Sequence, residues 1–281
     1  MTHLLELLRT RYAGAAEAPA AEVAVADAHA SAILERLLAH RTVRAYLDEP
    51  LAPGALAAMM AAAQSAATSA NLQAWSVIAV EDPERKARLA GFAGSQAHIR
   101  EAPLLLVWLA DLSRLDRGAV RCGLPSDGNR YLEMFLVAVI DAALAAQNAV
   151  LAAEAMGLGT CYIGAMRNKP EEVAAELRLP PRVFPVFGLT VGRPDPMRPA
   201  AMKPRLPQAV VLHRETYRAD DDTEAPAVGE YDGVMQGFQR SQSMKEIPWS
   251  RQASERVSGP GSLSGRHRLV EAIRALGFEL D

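Results

Sequence analysis

The stretch from Tyr131 to Met156 constrains this chain more than any other. Apolar and small residues persist through it for several helical turns, and Gly157 stands where such a helix would stop. A helix is therefore expected from Asp127 or Gly128 to Met156. Eight of the fifteen residues from Asp141 to Ala155 are alanine, and a face of small side chains lets another backbone come close, so this helix belongs in a core or at a subunit interface. Glu133, Asp141, Gln147, Asn148 and Glu154 interrupt the apolar run. Their desolvation would be costly in a bilayer, and no membrane span is expected.

Strands and helices alternate around this segment. Trp75–Val80 reads as a strand, Pro83 opens a charged helix through Leu89, and the continuous apolar run Leu104–Ala110, set between Pro103 and Asp111, reads as a buried strand. Thr160–Met166 and Val183–Val191 are also strand-like. Ser31 is placed to N-cap a helix through Ile33, Leu34, Leu37 and Leu38. Pro53 precedes a second helix carrying Leu56, Met59 and Met60, which runs out in the polar loop Ser65–Asn71. Asn168, Pro170 and Glu171 have the spacing of a capping box leading into Val173–Leu177, and Gly277 stops a terminal helix over Arg268–Leu276.

The remaining segments suggest appendages. Residues 1–30 read as a short amphipathic helix followed by an Ala-rich linker from Gly14, residues 31–218 as the folded core, and residues 219–281 as a C-terminal appendage. In the appendage, Asp220–Glu224 is acidic and Ser241–Gly265 is rich in Ser, Gly and charge. Across 281 residues the net charge is −3, without the basic excess of a general nucleic-acid binder, and no nucleic-acid partner is expected. Cys122 and Cys161 are too few for a disulfide framework, and charge within the apolar N-terminal stretch argues against a secretory signal; a cytoplasmic location is expected.

Signatures of phosphate-loop, zinc-protease and nucleophile-elbow chemistry are absent, and no metal site is expected. Gly157-Leu158-Gly159 follows a helix rather than a strand, which excludes a dinucleotide fingerprint. Basic residues are what remains: Arg41 and Arg44 near the start of the core, and Lys203 and Arg205 in a loop with five prolines between Gly192 and Pro207. Converging, they would suit a phosphate, with arginine forks giving direction and lysine a point charge; dispersed, they are a solvated surface.

His40-Arg41-Thr42-Val43-Arg44-Ala45-Tyr46 is followed by Asp48-Glu49-Pro50. Then come Ala66 to Gln73, Gly157-Leu158-Gly159 ahead of Tyr162-Ile163-Gly164, and Lys203-Pro204-Arg205-Leu206-Pro207. In that order the motifs resemble the FMN-dependent nitroreductase and flavin reductase family, most of all its larger, NADPH-preferring, oxygen-insensitive branch. The resemblance covers about Ile33 to Tyr217. It implies a homodimeric α+β fold, with a mainly antiparallel central sheet surrounded by helices and FMN bound at the dimer interface.

By position, the resemblance implies that His40, Arg41 and Thr42 line the flavin site and that Arg44 faces the N1/O2 side of the ring, where positive charge favours the reduced flavin. Arg41, Lys203 and Arg205 would hold the phosphate. Thr68, Ser69, Asn71, Gln73 and Gln96 would meet the ribityl chain or pyrimidine edge, and Tyr162, Ile163 and Gly164 would lie against the ring system. The activity implied is transfer of hydride from NADPH or NADH onto FMN N5, then to nitroaromatics, quinones or free flavin, in ping-pong order and with no protein acid or base. Alternatives are a flavin reductase supplying a partner monooxygenase and a non-catalytic flavin-binding sensor. Where that branch offers arginines to the adenosine phosphate, in the region of Arg240 to Arg251, this chain has Met244-Lys245-Glu246-Ile247.

Overall fold

The computed structural model describes residues 3–12, 32–219 and 221–281. In chain order it contains α1 (His3–Tyr12), α2 (Ala32–Leu38), α3 (Ala55–Gln64), β1 (Trp75–Val80), α4 (Pro83–Phe92), α5 (Ala97–Glu101), β2 (Leu104–Asp111) and α6 (Ser113–Cys122). The chain continues through α7 (Leu132–Ala155), β3 (Gly159–Ile163), α8 (Pro170–Glu176), β4 (Val183–Gly192), α9 (Gln208–Val211), α10 (Asp221–Ser241), α11 (Trp249–Arg256) and α12 (Leu269–Ala275). Ser31 and the linker from Gly14 to Ala30 lie outside the described residues. Two compact units result, one of Met1–Arg41 with Ala201–Leu263 and the other of Thr42–Ala200 with Ser264–Asp281.

The second unit is built on a four-stranded sheet in the order β1-β2-β4-β3, every pairing antiparallel. β2 is buried along its whole length, which explains its unbroken apolar sequence: both faces of the strand are covered. On one face α7 packs with α3, and Ala145, Ala146, Ala149 and Ala153 meet Leu104, Leu106 and Trp108. Alanines give this close approach, and Asn148 Nδ2 ties α7 to α3 by donating to the Ala62 carbonyl at 3.1 Å. The other face holds Leu89, Ile99, Leu105, Val107, Met166 and Val173. The α+β class and antiparallel sheet expected from the sequence are thus present. α7 is long and apolar enough to cross a membrane by length and composition, but half of its most apolar window is buried within the protein, as befits a core helix.

In the first unit α10 packs through Tyr231, Met235 and Gln239, all buried and four residues apart on one helix face. Tyr231 stacks edge-on with Trp249 at 5.7 Å, and its hydroxyl donates to the Pro204 carbonyl at 2.9 Å. Asp232 accepts the Ser250 N–H at 2.8 Å, holding the first turn of α11.

Several elements differ from the sequence reading. β3 ends at Ile163 and the chain enters a 3₁₀ turn, Gly164–Asn168, instead of remaining extended to Met166. Arg167, within that turn, donates to the Val186 carbonyl across the sheet. The capping box at Asn168 does not form, because Lys169 precedes the helix and the Asn168 side chain accepts from Arg266 Nε at 2.9 Å instead. Ahead of α7 the chain makes a 3₁₀ turn over Asp127–Arg130 and an extended residue at Tyr131, so the α-helix starts at Leu132. The acidic stretch is helical as well as exposed: residues 221–224 form the first turn of the 21-residue α10, with 222–224 open to solvent, where negative charge suits the helix dipole.

Candidate functional site

The segment Thr42–Tyr46 crosses the end of the sheet. Thr42 pairs in parallel with Thr160, and Val43 N–H donates to the Thr160 carbonyl at 2.9 Å. Tyr46 is buried, with its hydroxyl 2.7 Å from both the Val43 carbonyl and the Thr190 hydroxyl. Burial drives its pKa up, so it remains a neutral strut. Between these two anchors Arg44 stays exposed. Its charge is felt in the buried pair beneath it, where Cys161 Sγ lies 3.8 Å from His98 Nε2. Burial raises the thiol pKa, opposed by Arg44; burial and Arg44 together lower that of His98. Both groups are therefore held neutral, which leaves Arg44 as the cation of this cluster.

The loop between α3 and β1 carries Thr68, Ser69, Asn71 and Gln73. Its backbone is left-handed at Ala70, Asn71 and Gln73 (φ of 47°, 55° and 48°), an unusual run for residues other than glycine. Thr68 Oγ1 donates to Asp141 Oδ2 at 2.6 Å and accepts Gln73 N–H at 2.9 Å. The side chains of Ser69, Asn71 and Gln73 remain exposed. On β3, the Tyr162 hydroxyl reaches Gln147 Oε1 at 3.4 Å and its ring meets Phe187 edge-on at 5.2 Å. Ile163 is buried beside it. A Cβ on Gly164 would meet Arg167 only at 3.4 Å, an ordinary contact, so the fold itself does not demand glycine there. Gln96 precedes α5 and donates to the Ala93 carbonyl at 2.9 Å. Thr68 and Tyr162 are both referenced to α7, through Asp141 and Gln147, residues separated by about 9 Å of helix axis.

In the first unit, His40, Arg41, Lys203 and Arg205 are drawn together by one residue the sequence reading did not single out. Arg11 is buried at the end of α1. Its guanidinium donates to the carbonyls of Leu38 and His40, each at 2.7 Å, and of Lys203 at 2.9 Å, while its own carbonyl accepts Arg205 N–H at 3.0 Å. Within this unit Arg11 thus ties the chain at Leu38 and His40 to the chain at Lys203 and Arg205. Arg41 and Arg205 are exposed, and among the described residues neither they nor Arg44 forms an ion pair with a carboxylate. In the first unit the exposed guanidinium groups of Arg41 and Arg205 suit an anionic group, and in the second the polar loop and the exposed Tyr162 ring suit a flat group rich in hydrogen-bonding atoms. FMN is such a group. Arg240 and Arg251 differ: Glu246 holds the first at 2.7 Å and Glu255 the second at 2.9 Å.

A cavity of about 640 Å³, lined by Leu51, Pro53, Met156, Leu158 and Arg193 among others, contains none of these residues. Asp141 was visible in the sequence as a carboxylate within an alanine-rich helix, although nothing there showed what it binds.

Residues 37–193 match the Nitroreductase family, and residues 203–281 match the Nitroreductase family, C-terminal domain. A Bacillus subtilis protein named FMN reductase (NADPH) is 39% identical over 222 residues, covering 78% of this chain and 88% of that protein. A second from B. subtilis, FMN reductase [NAD(P)H], is 38% identical over 255 residues, or 89% and 98% of the two chains. The solved structure of B. megaterium NfrA1 superposes with a TM-score of 0.83 at 39% identity, covering 89% of this chain and all of that one.

Proposed function

The chain belongs to the nitroreductase family and is an FMN-dependent NAD(P)H oxidoreductase, and from that premise we propose that it works as a homodimer by ping-pong hydride transfer through flavin N5. FMN supplies hydride acceptance at N5 and its onward transfer when bound. The protein's part is to bind, orient and polarise. Arg41, Lys203 and Arg205 hold the phosphate, with His40 and Thr42 lining the same site. Arg44 would supply fixed positive charge beside the flavin ring, which favours the reduced, anionic form. Thr68, Ser69, Asn71, Gln73 and Gln96 supply hydrogen bonds to the ribityl chain or the pyrimidine edge, and Tyr162, Ile163 and Gly164 lie against the ring. All of these residues fall within the proposed 31–218 core.

The observation that carries this reading is the joining of the chain at His40 and at Lys203 by Arg11, with Arg41 and Arg205 exposed and, among the described residues, in no ion pair with a carboxylate. A homodimer is supported by α7, whose Leu132, Leu136, Ile140 and Leu144 are exposed at four-residue spacing and form an apolar stripe. Flat, electron-poor acceptors, nitroaromatics and quinones, suit stacking on a flavin ring. Free flavin is the second acceptor class, favoured by relatives named FMN reductase. The two free cysteines suit a cytoplasmic location. Initial rates measured over a grid of NAD(P)H and acceptor concentrations test the kinetic scheme: parallel double-reciprocal lines are expected, and converging lines would refute ping-pong order.

A further inference from the structure

Asp141 is buried in the middle of α7, with 1% of its surface exposed. Its carboxylate receives three hydrogen bonds from a single loop: Thr68 Oγ1 at 2.6 Å, Ser69 N–H at 3.2 Å and Ala74 N–H at 3.0 Å. Thr68 passes the constraint on, since its oxygen accepts Gln73 N–H at 2.9 Å. Both ends of the segment are thereby pinned to one side chain, and the residues between them hold the left-handed turn at Ala70, Asn71 and Gln73. From outside, Arg114 braces the exit of the same loop, donating to the Gln73 carbonyl at 3.0 Å and the Trp75 carbonyl at 3.1 Å.

A buried carboxylate is costly unless its oxygens are satisfied, and an apolar residue would suit the alanine-rich surroundings better. Every partner of Asp141 belongs to the loop. The Ala74 bond holds the loop where it enters the sheet, since the Ala74 carbonyl accepts Asp111 N–H at 3.0 Å; the other two hold the loop's start.

We propose that Asp141 is a positioning residue for the flavin site, its carboxylate setting the left-handed loop that turns Ser69, Asn71 and Gln73 outward. This rests on the reading that the loop faces FMN. Asparagine at this position keeps one acceptor but turns N–H groups toward a loop N–H that can only donate. The loop then relaxes without loss of the helix.

The test uses the purified full chain stripped of flavin and titrated with FMN. Affinity is read from fluorescence, and the surroundings of the ring from the circular dichroism induced in the flavin bands. Asp141→Asn is expected to weaken FMN binding about tenfold and to change the induced spectrum. Thr68→Val, near-isosteric, cuts the relay to Gln73 and is expected to act in the same direction; it carries the test if Asp141→Asn does not fold. The double variant Ser69→Ala, Asn71→Gly removes the outward groups while suiting the left-handed backbone, and it too should weaken binding. If that double variant weakens FMN binding but a folded Asp141→Asn or Thr68→Val keeps both affinity and spectrum, the positioning role is overturned and the loop reading stands. If the double variant binds FMN normally, the loop does not face flavin, and the proposal falls with that reading.

Discussion

Gly159 and Gly192 stand opposite each other in the β3–β4 ladder, and neither has room for a methyl group. A Cβ on Gly159 would come within 2.6 Å of the Val43 side chain, and one on Gly192 within 2.7 Å of Pro103 and 2.8 Å of the Tyr46 ring. These two glycines let the segment that carries Thr42 and Arg44 lie directly on the sheet. Gly159 is thus needed for close packing. Gly157, with φ of 76°, closes the helix ahead of it.

Gly159→Ala should therefore cost about 1–3 kcal/mol of stability, the range for overpacking a tight site, measured by urea denaturation. Because the collision is with Val43, adding Val43→Ala should recover part of that loss in a double-mutant cycle. Strict additivity of the two changes would show that the contact is not the cause.

Arg205→Ala should weaken FMN binding by about 1.5–3 kcal/mol, the scale of a charge-assisted contact. Arg205→Lys should keep the charge but lose the forked geometry, giving an intermediate affinity. A fluorescence titration showing unchanged affinity in Arg205→Ala would remove Arg205 from the phosphate site.

Much of this architecture was legible in the sequence because burial leaves a pattern. Trp75–Val80 is a strand as expected, and β2 and β4 extend the anticipated runs by one residue each, to Asp111 and Gly192. What escaped notice depended on long-range partners or on weak local signals. Asn168 has the spacing of a cap, yet it is recruited by Arg266 from far along the chain. α6 is amphipathic but short of apolar residues, with Leu115 packed on the core and no side chain fully buried, so its signal is weak. α10 contains Pro226 and begins in an acidic run that resembles a tail, while its buried face of Tyr231, Met235 and Gln239 is narrow. For the site, the order of motifs suggested which residues belong to it; the hydrogen bonds of Arg11 and Asp141 that arrange them could not be read from composition or spacing.

His98 should impose a pH dependence on stability. Burial, then the charge of Arg44, hold its pKa below 6.5, with Glu101 opposing and the Cys161 thiol neutral beside it. Between that lowered value and 6.5 the unfolded chain binds more protons than the folded one, so stability rises with pH in this window and falls as pH drops below about 6.5. His98→Asn should flatten the slope in urea denaturation measured across the window. In the folded protein, Arg44→Ala should raise the titration midpoint of the His98 ring resonances, and an unmoved midpoint would contradict the proximity of the two charges.

Ile140→Glu should place a charge at the centre of the apolar stripe on α7 formed with Leu132, Leu136 and Leu144. Sedimentation is expected to show a dimer for the unaltered chain and a monomer for the variant. A variant that remains dimeric would place the subunit interface elsewhere.

The most direct test of the whole account is the absorbance of the FMN-loaded protein under anaerobic conditions, recorded before and after addition of NADPH or NADH in separate cuvettes. The account predicts that the flavin band bleaches with at least one donor and returns when a quinone or nitroaromatic is added. Bound flavin that neither donor bleaches would contradict it.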